Sequence, residues 1–179
     1  MPRDYSIALD ISLSMGEPFS DMIPSKLQAS KEAIAFLAGR VTGRGSRIAL
    51  TLFHGKPIPV LPLTNDYKLI LRALSDVNFT GEGSALGDGI VEAIKMLRAS
   101  RGNDRIVVVL TDGGVTEGIP VRASILYAKY TGVPVRILVL NRRVEDSLRV
   151  EVENANYKDV ELVMVETKQK LLAEILRLT

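Results

Sequence analysis

The sequence contains no cysteine and only one histidine, His54, among its 179 residues. Without cysteine the chain can form no disulfide, no thiolate nucleophile and no Cys-based zinc site. One histidine cannot build a two-histidine metal site. If the protein used a histidine as a general base, that residue would have to be His54. No partner for such a role is assigned to it, so we expect His54 to be a surface or loop residue.

Long apolar runs and a strong net charge are also lacking. The purest apolar run, residues 106–110, is far too short to span a bilayer, and no apolar segment of signal-peptide length follows Met1. The formal net charge of +2 gives no reason to expect nucleic acid as a partner. The length predicts one domain over residues 1–179, and the composition, 46% apolar and 25% charged, is that of a soluble globular protein. Together with the lack of long apolar segments, this predicts a cytoplasmic protein without membrane insertion.

Short β-rich runs alternate with helical patterns along the chain. Strands are predicted at residues 5–9, 47–53, 105–110, 135–140 and 160–165. Residues 57–62 are expected to form an edge strand, because Pro59 and Pro62 would interrupt a central ladder. It should form a hairpin with the strand before it through His54-Gly55-Lys56.

Helices are predicted between these strands. Ser25 and Gln28 suggest a capping box at the start of the first helix. Further helices are expected at residues 86–97, 120–132 and 168–178. Residues 144–155 fit either a helix or a strand, and a helix is favoured because this segment must connect two strands. The alternation predicts a doubly wound α/β fold with a mostly parallel central sheet, one antiparallel edge strand and helices on both faces. Ligands of such sheets bind at the carboxyl ends of the strands.

Asp10, Ser12 and Ser14 follow the first predicted strand, at such a carboxyl end. A carboxylate and two hydroxyls are hard oxygen ligands, which suit Mg²⁺ or Mn²⁺ rather than zinc or copper. The alternative is an ordinary Ser-rich turn, since Asp and Ser are common turn residues.

Two further segments carry matching chemistry. Asp112 leaves the Val-rich strand into a Gly113-Gly114 turn, where it either faces the same crevice as Asp10 or serves as a turn residue. Ser84 lies in a glycine-rich loop before a helix, where it can supply a hydroxyl ligand, cap the helix, or do both.

Together these segments resemble the metal-ion-dependent adhesion site of von Willebrand factor A domains. The resemblance covers almost the whole chain, and it departs from the family in having Ser84 where threonine is usual and Leu13 where glycine is common. It implies a divalent-metal-dependent protein-binding module, not an enzyme, working as an intracellular scaffold or ATPase-associated subunit. The implied metal residues are Asp10, Ser12, Ser14, Ser84 and Asp112.

The resemblance also implies a division of roles. Ser12 and Ser14 would contact Mg²⁺ or Mn²⁺ directly, Asp10 and Asp112 would act mostly through bound water, and Ser84 would do either. A Glu or Asp carboxylate of a partner protein would then bind the metal. Arg142 and Arg143, after the strand at 135–140, are expected at the same sheet edge, where they either steer an acidic partner or form a solvated loop.

Other functions remain open from the sequence. An Mg²⁺-dependent phosphoryl-transfer or hydrolase domain, or a receiver-like domain, could use Asp10 and Asp112. Against this, the first strand end has no Asp-x-Asp pair, and the chain has no phosphate-binding Gly-Lys-Ser/Thr loop. Dinucleotide binding would use Gly81, Gly83 and Gly87, but their spacing and position after a later strand make that signal weak.

Overall fold

The computed structural model describes residues 1–20, 24–102 and 104–179 and has a six-stranded sheet at its centre. The strands are β1 (Arg3–Asp10), β2 (Arg47–Phe53), β3 (Pro57–Thr64), β4 (Asp104–Thr111), β5 (Val135–Val139) and β6 (Val160–Met164). The helices are α1 (Lys26–Val41), α2 (Tyr67–Ser75), α3 (Leu86–Met96), α4 (Val121–Thr131), α5 (Asp146–Asn154) and α6 (Lys168–Leu176). Within the described ranges, none of these helices is both long enough and apolar enough to cross a membrane.

The strand order is β3-β2-β1-β4-β5-β6, and β3 is the one antiparallel strand of this sheet. The predicted fold class, including the antiparallel edge strand, is confirmed. Asp10 pairs with Phe53 of β2, and Leu9 pairs with Leu110 of β4. The carboxyl ends of β1 and β4 are therefore neighbours in the middle of the sheet.

The sheet is buried on both faces. Alternate residues of β1 point to opposite sides, so Ile7 and Leu9 pack with α1, α2 and α6, while Ala8 packs with α3, α4 and α5. Helix α3 comes unusually close to the sheet at Gly89, where an added Cβ would lie 2.7 Å from the Phe53 ring. This close packing fixes the start of α3 near the end of β1.

Two details of the helices differ from expectation. Helix α2 is absent from the sequence prediction; Asp66 caps it, and only Ile70 and Leu74 of its residues are buried. At α1, Ser25 accepts the backbone N–H of Gln28 as predicted, at 3.0 Å. The reciprocal hydrogen bond of the capping box, from the Ser25 backbone N–H to the Gln28 side chain, is not found among the described residues, and the Gln28 side-chain amide donates to Glu32 at 3.2 Å.

Candidate metal centre

The chain turns sharply after β1 around the side chain of Asp10. Asp10 is the last residue of the strand and fully buried, and its Oδ1 accepts the backbone N–H of Ser12 at 2.9 Å. A 3₁₀ turn, Leu13–Gly16, follows and carries Ser14. The hydroxyl oxygens of Ser12 and Ser14 lie 3.2 Å apart. The turn therefore gathers the three polar side chains of the sequence motif.

The second oxygen of Asp10 joins this turn to two distant segments. Asp10 Oδ2 accepts the Thr111 hydroxyl at 2.7 Å and the Ser84 hydroxyl at 3.3 Å. Thr111 Oγ1 in turn accepts the backbone N–H of Gly113 at 3.1 Å. Gly113 has a φ of +91°, a left-handed conformation that glycine adopts without strain. A single buried carboxylate thus connects the ends of β1 and β4 with the loop before α3.

Burial raises the pKa of Asp10 above its ordinary value, because the ionised form loses its hydration. Hydrogen bonds from Ser12 and Thr111 offset part of this effect, while the negative charge of Asp112 adds to it. A cation placed beside Asp10 would therefore relieve an unfavourable buried charge.

Asp112 is held just beyond the end of β4. Its Oδ1 accepts the backbone N–H of Gly114 at 3.1 Å, and its carbonyl oxygen accepts the Asn141 side-chain amide at 3.3 Å. The Nζ of Lys26, at the start of α1, lies 4.0 Å from its Oδ2. The Asn141 contact brings the loop after β5 against Asp112, as the sequence analysis expects.

Ser84 does not cap helix α3, so that alternative is wrong. The N-cap position is Ala85, which has no side-chain cap, and the Ser84 hydroxyl donates to Asp10 instead. The backbone N–H of Ser84 donates to Thr116 Oγ1 at 2.8 Å, and the backbone N–H of Thr116 donates back to the Ser84 carbonyl at 3.1 Å. Ala85 N–H donates to the His54 carbonyl at 2.6 Å. The backbone on either side of the Ser84 side chain is therefore fixed.

The donor set fits a small hard cation. Mg²⁺ binds oxygens at about 2.1 Å in an octahedron, which places neighbouring oxygens about 3.0 Å apart. The separation of the Ser12 and Ser14 hydroxyls, 3.2 Å, is close to that edge, and the Ser84–Asp10 separation is 3.3 Å. In the described ranges no group of three or more His, Asp or Glu side chains could hold a metal. Such an ion would therefore depend on hydroxyl oxygens.

Comparison with known proteins identifies the family. The profile of the von Willebrand factor type A domain matches residues 6–115, which include most of β1, all of β2, β3 and β4, and every predicted residue of the candidate centre. The chain belongs to the von Willebrand factor A domain family. The predicted family membership is confirmed, whereas metal binding by this A-domain stays a prediction.

Individual proteins resemble this chain in part of its sequence or in its fold. An uncharacterized protein of Borreliella burgdorferi is 40% identical over 116 residues, which are 63% of this chain and 33% of that protein. The match therefore spans only about a third of the length of the Borreliella burgdorferi protein. BatB of Bacteroides thetaiotaomicron, a conserved hypothetical protein, has the same fold at 22% identity and a TM-score of 0.81, covering 99% of this chain and 97% of its own. The VWA domain of SpRpn10 also has the same fold, at 20% identity and a TM-score of 0.76, covering 99% of this chain and 95% of its own.

The structure also bears on the expectations for His54 and for the glycine-rich loop. His54 does lie in the turn after β2, but its ring packs against Gly81 and its buried Nδ1 has no hydrogen-bond partner among the described residues. The space above Gly83 is filled by the Glu117 side chain. These two glycines therefore accommodate the chain's own side chains, which leaves the dinucleotide hypothesis without support.

Sequence reasoning also overlooked three residues that support the centre. Thr111, Thr116 and Lys26 each contact one of the predicted site residues. In the sequence Thr111 directly follows the predicted strand at residues 105–110 and precedes Asp112, and only the pairing of β4 with β1 gives it a role. No local sequence signal distinguishes Thr116 or Lys26.

Proposed function

We propose that this A-domain binds a partner protein through Mg²⁺ or Mn²⁺, with the ion bridging to a Glu or Asp carboxylate of the partner. A-domains are generally protein-interaction modules, and the metal dependence is our proposal for this one. The observation that carries it is the pair of hydroxyls of Ser12 and Ser14, 3.2 Å apart beside the buried carboxylate of Asp10.

Each residue has a distinct role in this proposal. Ser12 and Ser14 contact the ion, and Ser84 does so directly or through water. Asp10 and Asp112 hold its water molecules and orient the serine hydroxyls. The ion supplies an electrophilic position that a carboxylate can occupy. Because hydroxyl ligands are neutral, they leave its charge poorly compensated, which favours an anionic group from the partner.

The surroundings favour an acidic partner. Arg142 and Arg143 are exposed in the loop that Asn141 attaches to Asp112. We propose that they attract the acidic segment before the carboxylate reaches the ion. As a biological setting we propose an intracellular scaffold or a subunit that works beside an ATPase, as the family resemblance implies.

Metal titration tests the first half of the proposal. Isothermal titration calorimetry with Mn²⁺ and Mg²⁺ should give one site in the wild type and at least tenfold weaker binding in Ser12→Ala, which loses a direct ligand (about 1.4 kcal/mol). Ser147→Ala, which removes an exposed hydroxyl from α5, is the matched control and should bind like the wild type. A wild type that binds neither ion at millimolar concentration would contradict the proposal.

Partner capture tests the second half. Proteins retained on the immobilised domain in Mg²⁺ should be released by EDTA and should not be retained by Ser12→Ala. Replacing one Glu or Asp of the captured partner by Gln or Asn should abolish the interaction. Retention that is indifferent to EDTA would show that the interaction does not use the metal.

A further inference from the structure

Lys26 is a nearly buried cation at the border of the candidate metal centre. Its side chain is only 9% exposed, which is unusual for lysine and requires a compensating charge. Its Nζ lies 2.9 Å from Glu17 Oε2 and 4.0 Å from Asp112 Oδ2. The ammonium group is thus placed between a glutamate outside the motif and an aspartate inside it.

The position of this ammonium group is fixed by the backbone as well. The backbone N–H of Lys26 donates to the carbonyl of Glu17 at 2.9 Å, so main chain and side chain both bind the same residue. Asp112 is equally constrained, because Gly114 holds its other carboxylate oxygen. Lys26 therefore cannot move away from Asp112 without breaking the connection between the 3₁₀ turn and α1.

We propose that Lys26 is a built-in counter-cation that sets the metal affinity of the centre. In the metal-free protein it stabilises Asp112 in its position at the end of β4. When a divalent ion binds, the two positive charges repel each other, so Lys26 weakens metal binding. This inference rests on the proposed function, and it deepens it by naming a residue outside the motif that controls the same site.

Glu17 should act in the opposite direction. Its carboxylate neutralises part of the Lys26 charge, but its side chain is 62% exposed, so water and salt screen it more than they screen the nearly buried ammonium group. The Lys26–Glu17 ion pair therefore leaves part of the Lys26 positive charge uncompensated on the side that faces Asp112. Removing either partner should shift the metal affinity, with opposite signs.

The test compares Lys26→Met with Glu17→Gln. Methionine keeps the length and packing of the lysine stem but removes the charge. Calorimetric titration with Mn²⁺ should show at least about tenfold tighter binding in Lys26→Met and weaker binding in Glu17→Gln. Thermal unfolding in EDTA should show a lower Tm for Lys26→Met than for the wild type. A purely structural role would lower the Tm without tightening metal binding.

The control and the alternative outcomes separate the two proposals. Lys168→Met removes a lysine that pairs with Glu32 on an exposed part of the same helix layer, and it should leave the Mn²⁺ affinity unchanged. Unchanged or weaker Mn²⁺ binding in Lys26→Met overturns the inference, while Mn²⁺ binding by the wild type upholds the metal-binding half of the proposed function. If Lys26→Met does not fold, tighter or equal binding by Glu17→Gln overturns the inference instead. A wild type that binds no Mn²⁺ refutes both.

Discussion

Asp10 serves two purposes that two substitutions can separate. Its carboxylate accepts hydrogen bonds from the Ser12 backbone and from the hydroxyls of Thr111 and Ser84, and in the proposed function it also holds the waters of a metal ion. Asp10→Ala removes the acceptors and the charge. Asp10→Asn removes the charge and keeps the shape and one of the two acceptor oxygens.

The magnitude for Asp10→Ala follows from the donors that lose their acceptor. A buried donor left unsatisfied costs about 1–3 kcal/mol. The hydroxyls of Thr111 and Ser84 can rotate towards other acceptors, whereas the backbone N–H of Ser12 cannot. We therefore expect a loss of about 3 kcal/mol in the metal-free protein, which lowers the Tm of a chain of this length by about 6–12 °C.

Asp10→Asn should cost much less in the metal-free protein. Because burial raises the pKa of Asp10, the ionised carboxylate is unfavourable in this position, and a neutral amide avoids that cost. We expect stability within about 1 kcal/mol of the wild type. Metal stabilisation should nevertheless disappear. Mg²⁺ at a hundredfold excess over its dissociation constant stabilises the wild type by about 2.7 kcal/mol, or about 5–11 °C.

The pH dependence gives an independent check on the charge. The raised pKa means that the native state holds the Asp10 proton more tightly than the unfolded state does. The contribution of Asp10 to the free energy of unfolding is therefore highest below its ordinary pKa, about 4. It falls as the pH rises through the raised pKa. Asp10→Asn should remove this decline.

Urea unfolding followed by circular dichroism, in EDTA and in Mg²⁺, gives the free energy of unfolding of the wild type, Asp10→Ala and Asp10→Asn. Two results would refute the reasoning. If Asp10→Asn were as unstable in EDTA as Asp10→Ala, the charge rather than the hydrogen bonds would hold the three segments together. If Asp10→Asn kept the full stabilisation by Mg²⁺, Asp10 would not belong to the metal centre.

Two more predictions concern the surroundings of the centre. Thr116→Val removes the acceptor of the Ser84 backbone N–H, so it should lower the free energy of unfolding by about 1 kcal/mol in urea and weaken Mn²⁺ binding in calorimetry. Thr116→Ser should retain the stability and the Mn²⁺ affinity of the wild type. A Thr116→Val protein equal to the wild type in both would exclude this positioning role. Arg142→Glu combined with Arg143→Glu should slow association with a captured acidic partner and weaken or reverse its salt dependence in stopped-flow measurements, because the new carboxylates repel that partner. Unchanged rates at low salt would rule out steering.

The sequence predicts the sheet well because five of its strands carry distinctive β-rich patterns. Residues 47–53 were predicted as a strand with the bounds that β2 has, and the prolines of β3 identified the edge. Helix α2 was overlooked because it is short and rests on the core through only Ile70 and Leu74, while Tyr67 and Leu69 are exposed. A pattern with so few buried residues is hard to distinguish from a loop.

The candidate centre was predictable only where its chemistry is local. Asp10, Ser12 and Ser14 share one short segment, and Asp112 follows a strand that any parallel arrangement would bring near. The contacts of Thr111 with Asp10 and of Thr116 with Ser84 join residues 101 and 32 positions apart. These pairs depend on the strand order and on the exact path of the loops, and neither can be predicted from the residue types alone.

The supporting contacts also show which groups of the candidate centre are fixed and which can reorient. The backbone of Ser84 is bound on both sides by Thr116, Asp112 is held by Gly114, and Asp10 accepts a backbone N–H. The serine hydroxyls, by contrast, change partners by rotating one proton, without moving a heavy atom. A cation can therefore draw on lone pairs of Ser12 and Ser14 at a small cost in reorganisation. The rigid residues define the site, and the rotatable hydroxyls adapt to its occupant.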